Sequence, residues 1–173
     1  VFQFIYCLPL KTLGAVATCL LVVFCLLRQR FGRKAWWKIL TCAGLLAGLA
    51  LIYFQTIYGR TAMQAQMTPM LDLFHTYRAL LAGGDREILR MNFMNTILVC
   101  PAGLFLCELL PKKWNGLLRL FLTTVLLGAI CGAIEYCQYF LALGQAEIDD
   151  VFHNTLGAFL GALVCLYPWR KKK

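Results

Sequence analysis

The sequence predicts an all-α, polytopic membrane protein with five transmembrane helices and one amphipathic helix lying on the extracytoplasmic surface. Three observations carry this. Hydrophobic residues make up 61% of the chain and charged residues 14%, against about 45–50% and about 25% in soluble domains. The apolar residues gather into five runs, at 12–27, 39–58, 92–110, 117–134 and 151–167. At about 1.5 Å per helical residue, each run with its flanks covers most of a hydrocarbon core of about 30 Å. Third, none alternates polar with apolar residues over about ten positions, as barrel strands do.

The first run follows Lys11 and resembles a signal peptide in length, but no small-residue cleavage site follows it. The basic stretch "RQRFGRKAWWK" comes next, so the run is read as a retained span. The formal charge of +9 would suit nucleic acid if it were clustered on one face. Instead twelve of the seventeen cations (Arg28, Arg30, Arg33, Lys34, Lys38, Lys112, Lys113, Arg119, Arg170 and Lys171 to Lys173) fall on one side of a five-span chain. The positive-inside rule then places the N-terminus outside and the C-terminus in the cytoplasm. The basicity is topological, and no nucleic-acid partner is expected.

Nine cysteines are scattered through or beside the apolar runs, with no C-x-x-C pair and no histidine alongside. They read as small hydrophobes, and no metal site is expected. Cys7 and Cys137 are the one pair placed to form a disulfide at the outer face. Gly-x-x-x-Gly spacing occurs at Gly44/Gly48, Gly128/Gly132 and Gly157/Gly161, and each pair opens one helix face to close approach by another helix. Packing within one chain and homo-oligomerisation both use such faces.

The chain divides into two N-terminal spans (1–58), an extracytoplasmic amphipathic segment (59–91), a three-helix core (92–167) and a basic tail (168–173). In the second segment, "TPMLDLFHTYRALLAGG" offers Thr68 as N-cap, Pro69 at the first helical position and Gly83-Gly84 as the stop. Between them Met70, Leu73, Phe74, Tyr77, Leu80 and Leu81 repeat at three and four residues. This predicts a helix on the membrane surface, with Asp85 capping the lead-in to the third span.

Polar residues inside apolar runs are costly unless they face protein or trapped water, so each points to a site. On the predicted topology Arg90, Asn92 and Asn95 open the third span, Glu135 and Gln138 close the fourth, and Asp149, Asp150, His153 and Asn154 open the fifth. All lie in one outer layer. Asp150, Asn154, Gly157 and Gly161 form one helical stripe, and Gly128, Gly132, Glu135 and Gln138 or Tyr139 form another. Packing of the two glycine halves would bring Glu135 and Gln138 to Asp150 and Asn154. Arg78, Arg86 and Arg90 stand on the same side, and the carboxylates need such partners. His75 and Tyr77 of the surface helix are further candidates, as is His153. Glu108, near Lys112 and Lys113, reads as an ion pair at the cytoplasmic end.

At these residues the chain resembles the VanZ-like family of bacterial membrane proteins, named for an accessory factor that lowers sensitivity to teicoplanin. The resemblance runs from about Leu71 to Tyr167 on four stretches: "LFHTYR", "NTILVCPAG", "IEYCQ" and "DDVFHNTLGAFLG". The chain departs from it at Leu73, at Val99, and at Gln145-Ala146, where an arginine commonly precedes the acidic pair. The resemblance implies a place in the bacterial cytoplasmic membrane and a link to glycopeptide tolerance, and it brings no established reaction or cofactor. The reading that results is an outer pocket for a lipid headgroup or a lipid-linked cell-wall component. Arg78 and Arg90 hold phosphate there, Asn95, Gln138 and Asn154 orient it, and Glu135, Asp149 and Asp150 fix the arginines. An intramembrane enzyme with Glu135 or an aspartate as base, and a small lipid transporter, are the alternatives.

Overall fold

The computed structural model describes residues 10–32, 34–58, 68–83 and 86–167. They form six α-helices, with no strand among the described residues. Cys7, Asp85 and the tail at 168–173 lie outside them, as does the side chain of Arg86.

α1 (Leu10–Phe31) ends with Arg28 and Arg30 in its last turn, where cations complement the partial negative charge of the free carbonyls. A tight turn, with Gly32 N donating to Arg28 O at 2.8 Å, leads into α2 (Ala35–Tyr53). α2 continues as a single π-helical turn, Phe54–Tyr58. The wider turn changes which carbonyls are consumed along the helix, and Thr56 O there accepts from Gln138 Nε2 at 2.7 Å.

The surface segment differs from its prediction. Helix α3 covers only His75–Leu81, and residues 68–73 run without helix. Met70 N donates to Ala146 O at 2.9 Å and Ile148 N to Met70 O at 3.0 Å, an isolated parallel bridge. Thr68 therefore caps nothing, and its carbonyl accepts from Gln145 Nε2 at 3.2 Å. The helix starts instead after Phe74, which has a left-handed φ of 64°.

α4 (Arg86–Leu109) is the central helix, packed against α2, α5 (Gly116–Phe140) and α6 (Ile148–Leu166). Pro101 lies inside it and cannot donate to the carbonyl one turn back. α5 is capped by Asn115, whose side chain accepts from Leu117 N at 3.0 Å. Val99, Ala102, Leu127, Cys131, Ala158 and Ile52 form one buried cluster; Leu104, Cys107, Ala162 and Cys165 form a second. Apolar side chains also cover the outside: Ile39 is 72% exposed and Leu117 73%, an arrangement suited to lipid rather than water.

The glycine pairs are all used within the chain, though not as predicted. A methyl on Gly157 would strike Thr96 O, one on Gly161 would strike Cys100 O, and one on Gly103 would strike Ala158 O. The α6 stripe therefore meets α4 backbone to backbone, not α5. Gly128 and Gly132 of α5 face Thr155 and Val151 of α6. Gly44 and Gly48 of α2 sit on Phe105 and Ala102 of α4, so that face is covered by the chain itself.

Three helical segments among the described residues are long and apolar enough to cross a membrane, not five: Ala35–Tyr58, Leu89–Leu109 and Gly116–Phe140. α6 opens with Asp149, Asp150, His153 and Asn154, which shortens its apolar length. α1 has the length of a span, and most of its side chains before Val22 lie outside the described residues.

Candidate functional site

The first turn of α6 holds the organising residue. Asp149 is fully buried, at 0% exposure, yet its carboxylate is satisfied. One oxygen accepts from Phe74 N at 2.5 Å; the other accepts from Thr76 N at 3.2 Å and Thr76 Oγ1 at 2.6 Å. His75 Nδ1 lies 3.2 Å away. α3 has no local side-chain cap, so this distant carboxylate takes the amides that a helix start leaves free. The bonds from Phe74 and Thr76, with His75 beside them, compensate the burial of the Asp149 carboxylate.

His153 lies one turn further along α6 and is 3% exposed. Its Nδ1 is 2.6 Å from Asp149 O, and because a carbonyl only accepts, Nδ1 carries the proton. The other ring nitrogen, Nε2, lies 2.7 Å from Tyr77 OH, a contact in which the hydroxyl donates to a bare Nε2 or accepts from a protonated one. The two rings stack, with centroids 5.7 Å apart and planes at 25°. Phe74 packs edge-on to Phe152 at 5.0 Å, closing the apolar side of the cluster.

α4 ties in through amides and a hydroxyl. Asn92 Nδ2 donates to Thr76 Oγ1 at 2.9 Å, and Asn95 Nδ2 to Asp150 Oδ1 at 2.7 Å. Thr96 Oγ1 lies 3.2 Å from His153 O and from Asn92 O. Residues of α3, α4 and α6 thus form one network through Asp149. His75, half-buried, also faces Glu147 at 3.6 Å.

The predicted set divides accordingly. Asp149, His75, Tyr77 and His153 belong to the network, and Asp150 and Asn95 bond to each other. Arg78 does not: it pairs with Asp72 at the surface, both more than half exposed. Gln138 is buried, but it bonds to Thr56 O on the π-turn rather than to α6. Glu135 and Asn154 are buried and Arg90 is half-buried. The α5 glycines Gly128 and Gly132 do face α6, at Thr155 and Val151, but α4 occupies the face of α6 that carries Gly157 and Gly161.

Thr76, Asn92, Thr96 and the Phe74 amide complete the site without having been among the predicted ligands. Asn92 was legible by depth, and Thr76 sits within the "LFHTYR" stretch. No group of three or more His, Cys, Asp or Glu able to hold a metal occurs among the described residues. Chemically, the cluster is a fixed acid–base pair, Tyr77 and His153, mounted beside a carboxylate whose acceptor positions are filled.

No curated protein and no solved structure matches the chain. The VanZ/LLP1 family model matches residues 15–169. That match covers nearly the whole sequence and includes every residue of the network around Asp149, so the chain belongs to the VanZ/LLP1 family.

Proposed function

We propose that this is a cell-envelope protein of the bacterial cytoplasmic membrane whose outer polar cluster binds a lipid headgroup or lipid-linked cell-wall component, lowering sensitivity to teicoplanin. On this reading α1 and α6 cross the membrane together with α2, α4 and α5. The N-terminus is then outside and the cationic turns are in the cytoplasm, as the positive-inside rule directs. Family membership supports the setting.

The observation that carries the ligand reading is the platform around Tyr77 and His153. Asp149 fixes it from within, while Leu71 (76% exposed) and Leu81 (89% exposed) of the same 68–83 segment present apolar groups. A segment that carries both polar groups and exposed leucines suits the level of lipid headgroups. Arg78, outside the network, is exposed enough to exchange Asp72 for a phosphate.

The test is a sensitivity assay. Cells overexpressing the chain are compared with cells lacking it for growth on teicoplanin, and lipids copurifying with the protein are identified by mass spectrometry. Higher tolerance that is lost in Tyr77→Phe supports the reading. Unchanged sensitivity and unchanged lipid composition on both deletion and overexpression sink it. The close contact of Tyr77 OH with His153 Nε2 also favours a second reading, an enzyme using His153 rather than Glu135 as base on a lipid-linked substrate. Single-turnover product from purified protein, abolished by His153→Gln, would identify it.

A further inference from the structure

The other end of α4 carries a second polar centre, sixteen residues from Asn92 and therefore about 24 Å away along the helix. Glu108 has a side chain only 2% exposed and pairs with Arg28 Nε at 2.8 Å and Lys112 Nζ at 3.0 Å. Trp37 Nε1 donates to it at 3.3 Å. Lys112 also reaches Gly32 O at 3.4 Å. Of the predicted partners Lys112 and Lys113, only Lys112 reaches the carboxylate, and Arg28 takes the other place.

Beside this pair lies a cavity of about 320 Å³ whose walls include Lys34, Lys38, Lys112, Glu108, Trp37 and Thr41. That volume is at the small end of ligand cavities, which run from about 300 to 1,000 Å³. Three lysines face one glutamate, and the glutamate is already shared by Arg28 and Lys112. Lys34 and Lys38 make no ion pair among the described residues. A concave surface with uncompensated cations concentrates positive potential. Trp36, Ile39 and Leu40, interleaved with those lysines on the first turns of α2, are 46%, 72% and 47% exposed.

We infer that this cavity binds the phosphate headgroup of an anionic phospholipid, whose acyl chains lie along the exposed apolar face of α2. Lysine is a point-charge partner suited to phosphate. The flanking Trp36, Ile39 and Leu40 offer a free anion nothing, but match the rest of a lipid. The site is separate from the outer cluster and does not depend on the function proposed for it. On the proposed topology it opens to the cytoplasmic leaflet.

The test uses the full chain in a mild detergent with equal amounts of phosphatidylglycerol and phosphatidylcholine, the retained lipid being counted by native mass spectrometry. Wild type should retain phosphatidylglycerol preferentially. Lys34→Gln with Lys38→Gln should reduce that preference about twenty-five-fold, at about fivefold per lysine near an anionic headgroup, without changing the melting temperature. Lys113→Gln, an exposed cation outside the cavity walls, should leave it unchanged. Equal loss in Lys113→Gln, or no lipid preference in wild type together with no stabilisation by inorganic phosphate, overturns the site. Stabilisation by inorganic phosphate with no preference between the lipids overturns the lipid assignment in favour of a free anion.

Discussion

Replacing Asp149 by asparagine keeps the shape of the side chain and removes the charge on which α3 depends. In the native cluster one carboxylate oxygen serves Phe74 N at 2.5 Å and the other serves both Thr76 N at 3.2 Å and Thr76 Oγ1 at 2.6 Å. Asparagine leaves one acceptor oxygen. If it stays on Phe74, the new NH2 group points at Thr76 N, and two donors face each other; the flipped amide makes the same conflict at Phe74. Hydrogen bonds to charged groups contribute about 1.5–3 kcal/mol each. Losing one outright and weakening the others gives about 2–4 kcal/mol. For a chain of this length that corresponds to roughly 5–15 °C in melting temperature. The assay is thermal unfolding in detergent, followed through tryptophan fluorescence, with hydrogen exchange of residues 68–83 as the local readout. Native exchange rates at Phe74 and Thr76 in Asp149→Asn, with an unchanged melting temperature, would show that the carboxylate does not hold the helix start.

Gly161→Ala should destabilise by about 1–3 kcal/mol because its methyl meets the α4 backbone rather than a movable side chain. Gly132→Ala, 3.9 Å from the nearest Val151 carbon, should be near neutral, and paired thermal melts check both. Glu108→Gln should cost about 1.5–3 kcal/mol, through its contacts with Arg28 and Trp37. Lys112 is 59% exposed, so Lys112→Gln should scarcely move the melting temperature.

The central helices were legible because apolar length alone announces them: the runs at 39–58, 92–110 and 117–134 fall within or close to α2 with its π-turn, α4 and α5. The gathering of Asn95, Asp149, Asp150 and His153 at one end also followed from chain direction and depth. Partners did not. Helical phase says which residues share a stripe but not which neighbour the stripe meets, so Gly157 and Gly161 were set against α5 when α4 lies there. The Thr68-Pro69 start signal is sound local chemistry, but it was overruled by the Met70 bridge and by an acceptor 75 residues away at Asp149. Gln138 went astray for a similar reason, since nothing in "FQTIY" announces a π-turn or marks Thr56 O as its acceptor.

The pairing of Phe74 and Thr76 with Asp149 also sets an order of events during synthesis. The loop leaves the ribosome long before its cap does, and until α6 emerges the amides that start α3 have no carboxylate to meet. That loop therefore stays unformed while α4 and α5 are made, and it takes its shape only once α6 is present. A nascent chain arrested before Asp149 should expose that loop to protease, and one arrested well after it should not.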